Sequence, residues 1–286
     1  MTDQRMTDQQ DRYAVTGYPV SHSRSPFIHA MFAEQTGQAM CYDRLEVAPE
    51  DFEQAIQRFF AEGGKGLNVT VPHKEAAWRL VSRHAPNAAL AGAVNTLYQE
   101  NGELIGDNTD GVGMVRDIEQ NHGGQLTGAS IVILGAGGAV RGVLPRLLVA
   151  QPRAITIVNR TVARAQALAE QFAGKVPIAA CSYEQLAELH PAAAGWVING
   201  SAAGLQGELP PLPDTLVDSA TGCYDMVYAP GGTVFQKWAR TRGAALALDG
   251  SGMLVEQAAE SFRIWRGVKP DTAPVLKALR SELGIL

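Results

Sequence analysis

The sequence predicts an α/β fold made of two α/β units, and three observations support this. Short apolar segments alternate with amphipathic segments along most of the chain, as in a parallel sheet covered by helices. The stretch IVILGAGGAVRG, at positions 131–142, places a β-branched run directly before a glycine cluster, which is typical of a strand that turns sharply into a helix. The 286 residues are enough for one or two domains with a sizeable core.

The first unit is predicted over residues 12–111. Its segments are, in order, strand YAVTGYPV, helix SPFIHAMFAEQTG, strand CYDRLEV, helix PEDFEQAIQRFFAEGG, strand GLNVTV, helix PHKEAAWRLVSRH, a loop with a strand around AGAVNTLYQE, and the hairpin-like NGELIG. Ser25 is expected to cap the first helix, with Pro26 at its first helical position and Gly37 as its stop. Pro72 is expected to open the third helix.

The second unit is predicted over residues 112–250. Its segments are helix GVGMVRDIEQNHGG, strand SIVILGAG, helix AVRGVLPRLLVA, strand AITIVNR, helix VARAQALAEQFA, and the buried strands GWVINGSAAG, TGCYDMVY and ALALDG, with helix TVFQKWARTRG between the last two. Two amphipathic helices in residues 251–286 are expected to return and complete the first unit. Ligands of such folds bind at the carboxyl ends of the strands, which predicts a site in the crevice between the units.

Composition excludes several classes of function. The net charge of −5 argues against a nucleic-acid surface, which usually has an excess of basic residues. No apolar run approaches the roughly 18 residues that a membrane span needs, and the polar start MTDQRMTDQQDR predicts no signal peptide. The three cysteines are far apart and lack metal-ligand spacing, so we expect reduced thiols, a cytoplasmic location and no metal site.

The glycine cluster has the features of a dinucleotide-binding turn. Gly135 permits the tight turn, Gly137 allows the backbone to approach a pyrophosphate at the following helix N-terminus, and Gly138 adds a second bare position. The position of the usual third glycine is Val140, which alters helix–strand packing but leaves a phosphate site possible. By itself the cluster is a weak signal, and the alternative is a structural turn that binds no cofactor.

The end of the next predicted strand distinguishes between cofactors. NAD-binding units usually place Asp or Glu there to hold the ribose 2′-hydroxyl, whereas this chain has Asn159, Arg160 and Thr161, followed by Arg164. Two arginines on one side of a helix start can clamp a 2′-phosphate through charge-assisted hydrogen bonds. The pattern favours NADP over NAD, and the alternative is a pair of solvated surface arginines.

Two charged residues occupy unusual places. Lys74 is predicted in the first turn of a helix, where the helix dipole disfavours a cation by roughly 0.3–1 kcal/mol. The alternative is a solvated lysine paired with Glu75 or with another nearby acid. Asp110 is either an ordinary helix cap or a carboxylate at the domain junction that pairs with Lys74. The hydroxyls of Ser23 and Ser25 pose a similar choice between a helix cap and a site for a substrate carboxylate.

Taken together, these motifs give a family resemblance. SHSRSP, GGKGLNVTVPHK, AGAVNT, GDNTDG, GAGGA, NRT and DGSGM occur in the order seen in shikimate dehydrogenases, and the chain resembles that family from Tyr13 to the final helix. The resemblance implies an N-terminal substrate domain and a Rossmann-like doubly wound NADP-binding domain. It also implies NADPH-dependent, reversible reduction of 3-dehydroshikimate to shikimate in aromatic amino-acid biosynthesis.

The resemblance further implies roles for individual residues. Lys74 and Asp110 are the expected catalytic residues, and Lys74 acts either as the proton donor or as an electrostatic stabiliser of the oxyanion. The expected substrate contacts are Ser23, Ser25, Thr70, Asn95, Tyr228 and Gln257. The expected cofactor contacts are Gly135, Ala136, Gly137, Gly138, Ala139, Asn159, Arg160, Thr161, Arg164, Met226 and Gly250.

Three departures from the family pattern leave the precise substrate and the nicotinamide pocket open. His73 stands where the family often has Phe, NGSAAG at 199–204 replaces the usual NAT or NTT segment, and Ser251 interrupts the common GLGM. The alternatives are a quinate/shikimate dehydrogenase of broader substrate or cofactor range, and a catalytically silent relative that senses ligands. A monomer and a homodimer are both compatible with the sequence.

Overall fold

Two six-stranded sheets organise the protein in this computed structural model, which describes residues 10–174, 176–188, 195–201, 203–204 and 207–285. The α/β class with two sheets is therefore confirmed. No helix among the described residues is long and apolar enough to cross a membrane.

The first sheet is mixed, with strand order β2-β1-β3-β5-β6-β4. Its strands are β1 (Asp11–Gly17), β2 (Met40–Glu46), β3 (Gly66–Val69), β4 (Arg83–His84), β5 (Thr96–Glu100) and β6 (Glu103–Asp107). Its helices are α1 (Ser25–Thr36), α2 (Phe52–Ala61), α3 (Lys74–Leu80) and α4 (Pro86–Ala91). β5 runs antiparallel to β3 and to β6. Asn101 and Gly102 join β5 to β6 and both have positive φ, 53° and 81°, as a two-residue hairpin turn requires.

The second sheet is parallel throughout, with strand order β12-β11-β10-β7-β8-β9. Its strands are β7 (Ser130–Leu134), β8 (Ala154–Val158), β9 (Ile178–Cys181), β10 (Trp196–Asn199), β11 (Gly222–Asp225) and β12 (Leu246–Leu248). The later helices are α5 (Asp110–Arg116), α6 (Gly138–Val149), α7 (Val162–Gln171), α8 (Tyr183–Glu188), α9 (Val234–Thr241), α10 (Ser251–Arg266) and α11 (Ala273–Glu282). The strand order reverses between β7 and β10, as in a Rossmann-like doubly wound sheet, and ligands bind beside this switch point.

Three predicted helix starts were wrong by one or two residues. Arg24 is the N-cap of α1 and Ser25 is its first residue; the hydroxyl of Ser23 instead accepts from the Ser25 N–H at 3.3 Å. α3 begins at Lys74, after a turn in which the His73 N–H donates to Thr70 O. Thr109 is the N-cap of α5, so Asp110 lies inside the helix, and its side chain is available for another contact.

Two helices and two strands were not predicted: α4, α8, β4 and β9. Each is short, from two to six residues, so hydrophobic periodicity has too few positions to identify it. The predicted stop of α1 is confirmed, because Gly37 adopts the left-handed conformation at φ 64°.

The two C-terminal helices pack against the first unit. Phe262 on α10 and Leu279 on α11 are buried in one cluster with Tyr13 of β1 and with Ile28 and Phe32 of α1. The domain boundaries at residues 111 and 250 stay a prediction, and this packing supports them.

The start of α5 crosses α6 at very short range. A Cβ at Gly111 would lie 2.7 Å from Cβ of Arg146 and 3.2 Å from Cα of Val143, so only glycine fits there. This crossing brings the end of the first sheet directly against the helix that follows the glycine turn.

Candidate functional site

Lys74 and Asp110 form an ion pair between the starts of two helices. Lys74 is the first residue of α3 and Asp110 is the first residue of α5. Lys74 Nζ lies 2.6 Å from Asp110 Oδ2, and the two side chains are 18% and 7% exposed. The dipole penalty at the start of α3 is therefore offset by a carboxylate brought from a distant part of the chain.

The second carboxylate oxygen of Asp110 also accepts a hydrogen bond. Asn95 Nδ2 donates to Asp110 Oδ1 at 2.8 Å, and the Asp110 N–H donates to Asn108 Oδ1 at 3.1 Å. Asn95 Oδ1 accepts the Thr109 N–H at 2.9 Å. These bonds fix the carboxylate between two loops of the first unit.

Gln257 joins this group from α10. Its Oε1 lies 3.4 Å from Asn95 Nδ2 and 3.3 Å from the hydroxyl of Thr109. Ser261, one turn further along α10, lies 2.8 Å from Thr96 Oγ1. α10 thus places polar groups beside the ion pair, although more than 140 residues separate Gln257 from Thr109 in sequence.

The two serines of SHSRSP lie close together. Ser23 Oγ donates to Ser25 Oγ at 3.2 Å, and the Ser23 carbonyl accepts two hydrogen bonds from Arg44, from Nε at 3.1 Å and from Nη2 at 2.6 Å. Arg44 was not among the predicted residues, and no spacing pattern in the sequence connects it with Ser23. Its guanidinium fixes the backbone that carries the paired hydroxyls.

Two further predicted substrate contacts flank this region. The Thr70 N–H donates to Thr16 O at 2.8 Å, which ties the residue after β3 to β1. Tyr228 is half-buried and packs against the cluster that contains α1 and α10. Burial raises the pKa of the Tyr228 phenol, so the group stays a neutral hydrogen-bonding hydroxyl near pH 7.

His73 is a packing residue. It is buried, its Nε2 lies 2.8 Å from Val47 O, and its ring stacks on Phe52 with centroids 4.5 Å apart. The imidazole thus fills the place of an aromatic side chain at this departure from the family pattern.

The glycine turn leaves open space in front of α6. Gly135 has φ 104°, and a Cβ there would lie 2.8 Å from Gly200 O. Gly137 is the N-cap of α6, and a Cβ at Gly137 or Gly138 would meet no atom within 4 Å. Bare backbone before a twelve-residue helix fits a pyrophosphate, because the N–H groups and the helix dipole both favour an anion.

Val140 packs against the end of β10. Its side chain is fully buried, and a Cβ at Gly200 would lie 2.7 Å from Val140 Cγ2. The bulk that Val140 adds to α6 is accommodated because Gly200 has no side chain.

Arg160 and Arg164 lie after β8 and are exposed to solvent. Asn159 Nδ2 donates to Thr161 O at 2.9 Å, which shapes the turn that leads into α7. Among the described residues, no carboxylate forms an ion pair with either arginine. Both guanidiniums are therefore available to a phosphate group.

Met226 and Gly250 meet at the ends of β11 and β12. A Cβ at Gly250 would lie 2.5 Å from Met226 O, and a Cβ at Gly200 would lie 2.8 Å from Met226 Sδ. Ser251 is buried, and its hydroxyl donates to Asp249 Oδ1 at 2.5 Å. At this third departure from the family pattern, the side chain of Ser251 thus forms a local hydrogen bond with the residue that precedes the N-cap of α10.

Asp225, the residue before Met226, is a buried acid. Asp225 Oδ1 accepts from Asn199 Nδ2 at 3.1 Å and from the Val227 N–H at 3.3 Å. Burial raises the pKa of the Asp225 carboxyl from 3.8 to about 6. Within the described ranges, no group of three His, Cys, Asp or Glu side chains could hold a metal ion.

Three family models match this chain. "Shikimate dehydrogenase substrate binding domain" matches residues 15–97, "Shikimate / quinate 5-dehydrogenase" matches residues 117–203, and "Shikimate 5'-dehydrogenase C-terminal domain" matches residues 250–280. Together they cover part of each sheet and the whole of α10.

Curated relatives and solved structures agree with these matches. A shikimate dehydrogenase (NADP(+)) of Alkalilimnicola ehrlichii is 60% identical and covers 95% of this chain and 99% of its own. A shikimate dehydrogenase (NADP(+)) of Hahella chejuensis is 52% identical over 94% of this chain and 98% of its own. The structure of shikimate 5-dehydrogenase from Thermus thermophilus in complex with NADP(H) and shikimate is 35% identical, with 95% and 99% covered and a TM-score of 0.83.

The raised pKa of Asp225 predicts a pH dependence of stability. The folded state binds this proton more tightly than the unfolded state, so the contribution of Asp225 to stability falls as the pH rises from about 4 to about 6. A difference of about two units between the pKa values in the folded and unfolded states changes the free energy of unfolding by on the order of 3 kcal/mol. Urea unfolding between pH 4 and pH 7 should therefore show Asp225→Asn gaining stability relative to the natural protein as the pH rises. The exposed Asp43→Asn is the control, and equal pH slopes for Asp225→Asn and the natural protein would contradict the prediction.

Proposed function

Because this chain belongs to the shikimate dehydrogenase family, we propose that Lys74 and Asp110 are the catalytic pair of its active site. The chain catalyses the NADPH-dependent, reversible reduction of 3-dehydroshikimate to shikimate, a step in aromatic amino-acid biosynthesis. The observation that carries the assignment of the pair is the 2.6 Å contact between Lys74 Nζ and Asp110 Oδ2. The two residues are the first residues of α3 and α5.

The chemistry of the pair follows from charge. NADPH, when bound, supplies the hydride for the C3 carbonyl carbon, and a negative charge then develops on the carbonyl oxygen. The Lys74 ammonium stabilises that charge and gives a proton from Nζ to the oxygen. Asp110 accepts a hydrogen bond from Nζ and so keeps the ammonium in place. In the reverse direction the neutral amine of Lys74 takes the hydroxyl proton.

The substrate would be held by groups on both sides of this pair. Ser23 and Ser25 offer two adjacent hydroxyls for the carboxylate, and Arg44 fixes their backbone. Asn95 and Gln257 are already within hydrogen-bonding distance of each other beside Asp110, which supports a shared hydroxyl-binding role. Thr70 and Tyr228 complete the proposed set of contacts.

The proposed cofactor site follows the carboxyl ends of the parallel strands. Residues 135–139 would receive the pyrophosphate in the open space before α6. Arg160 and Arg164 would clamp the 2′-phosphate, with Asn159 and Thr161 shaping the turn beneath it. Met226 and Gly250 would border the nicotinamide at the ends of β11 and β12.

Location and assembly are proposed on simpler grounds. Cys41, Cys181 and Cys223 are free thiols, which supports a cytoplasmic enzyme. We propose a monomer or a homodimer without a nucleic-acid partner, since the net charge is −5.

Assays with two substrates and two cofactors test the function. We expect oxidation of shikimate with NADP to exceed, in kcat/KM, oxidation of quinate with either cofactor and oxidation of shikimate with NAD. Comparable values for quinate would indicate the broader quinate/shikimate enzyme. Tight binding of shikimate without turnover would indicate a ligand-sensing relative.

Lys74→Ala tests the catalytic pair. Loss of the ammonium removes both oxyanion stabilisation and proton transfer, so kcat should fall by about 10²- to 10⁴-fold. NADPH affinity, measured by fluorescence titration, should stay close to that of the natural protein. Lys65→Ala, which removes an exposed lysine from the same unit, should leave kcat unchanged. A kcat within twofold of normal in Lys74→Ala would rule out the assignment.

Arg160→Ala/Arg164→Ala tests the 2′-phosphate clamp. Without the two guanidiniums, the preference for NADPH over NADH in kcat/KM should fall by at least tenfold, since charge-assisted hydrogen bonds each contribute about 1.5–3 kcal/mol. Arg58→Ala/Arg79→Ala removes the same charge from exposed positions on the first unit and should keep the preference. An unchanged preference in the first double variant would show that the phosphate is bound elsewhere.

A further inference from the structure

Gly142 on α6 lies directly against the carboxylate of Asp110. A Cβ at this position would lie 3.1 Å from Asp110 Oδ2 and 3.2 Å from Asn108 Nδ2. Oδ2 is the same oxygen that accepts the hydrogen bond from Lys74 Nζ. The bare backbone of a helix in the second unit therefore limits where this carboxylate can be.

The groups that face Gly142 have little freedom to move away. Asp110 is bound through Oδ2 to Lys74 and through Oδ1 to Asn95. Asn108 Nδ2 donates to Ala93 O at 3.0 Å, while Asn108 Oδ1 accepts the Asp110 N–H. A side chain at position 142 would require the Asp110 carboxylate and the Asn108 amide to shift by a few tenths of an ångström against these bonds, or α6 to move outward.

The same helix begins at the proposed pyrophosphate site. Gly138 is the first residue of α6 and Gly142 lies four residues later, about 6 Å along the axis. A second close crossing, between Gly111 on α5 and Val143 and Arg146 on α6, holds the two helices together at this point. One rigid element thus connects the cofactor turn with the carboxylate.

We propose that Gly142 is a positioning residue of the reaction, which acts by fixing the Asp110 carboxylate that holds Lys74. This inference rests on the proposed roles of Lys74 and Asp110. It assigns to the cofactor-binding helix a second task, which is to set the geometry of a catalytic pair that belongs entirely to the first unit. Alanine at this position would favour the helix itself but would displace the carboxylate.

Gly142→Ala is the first test. A displacement of the carboxylate by less than 1 Å is enough to reduce turnover, so kcat for shikimate oxidation should fall by about 10- to 100-fold. The dissociation constant of NADPH should stay within twofold. The pH profile of kcat/KM should shift, because the contact between Lys74 and Asp110 changes. Gly174→Ala, an exposed glycine whose Cβ would meet only Phe172 O at 3.9 Å, is the matched control and should behave as the natural protein does.

A double-variant comparison separates positioning from a general structural effect. In an Asp110→Ala background the carboxylate is absent, so adding Gly142→Ala should change the residual kcat by less than twofold. If Gly142→Ala lowered kcat by the same factor in the natural protein and in Asp110→Ala, the proposal would be overturned. A normal kcat and pH profile in Gly142→Ala would also overturn it. If Gly142→Ala alone does not fold, recovery of folding in the double variant supports competition for one space, and failure of both overturns it.

A failure of the role proposed for Gly142 can be distinguished from a failure of the proposed function. The natural protein is assayed beside each variant with shikimate and NADP. An inactive natural protein would overturn the function itself, whereas an active one with an unaffected Gly142→Ala would overturn only the role of Gly142.

Discussion

The carboxylate of Asp110 is the constraint on which the rest of the site depends. It is 7% exposed, and a buried charge is tolerated only where it is paired and hydrogen-bonded. Lys74 supplies the counter-charge, Asn95 supplies a donor to the other oxygen, and Asn108 holds the backbone. These partners come from α3 and from the loops on either side of the β5–β6 hairpin, so three segments of the first unit converge on one acid.

Much of this fold could be predicted from the sequence, because its long elements have clear periodicity and its turns have specific residues. The parallel second sheet, the hairpin at Asn101–Gly102 and the stop of α1 at Gly37 all follow from such local signals. The short elements α4, α8, β4 and β9 do not, since their positions are set by tertiary contacts. The first residues of α1 and α3 were also misplaced, because side chains and turns outside the helix determine its start.

Residues of the candidate site could be identified from the sequence where they belong to a motif, and could not be identified where their role depends on packing. Lys74 and Asp110 could be singled out because a cation at a helix start and an acid at a junction are both unusual. Arg44 and Gly142 carry no such signal: an arginine in a strand is ordinary, and a glycine within a helix suggests close packing without indicating its partner. Their contacts with Ser23 and with Asp110 are seen only in the folded chain.

The glycine turn shows how the same constraint can be met in a different way. In the usual pattern the third glycine permits close packing of helix against strand, and here that position is the buried Val140. The missing space is provided from the other side of the contact by Gly200, whose Cβ would lie 2.7 Å from Val140 Cγ2. Close packing therefore depends on the combined volume of the side chains at positions 140 and 200, and not on either side chain alone. It follows that Val140 does not exclude a cofactor at this turn, because the backbone without side chains at Gly137 and Gly138 still leaves open space before α6.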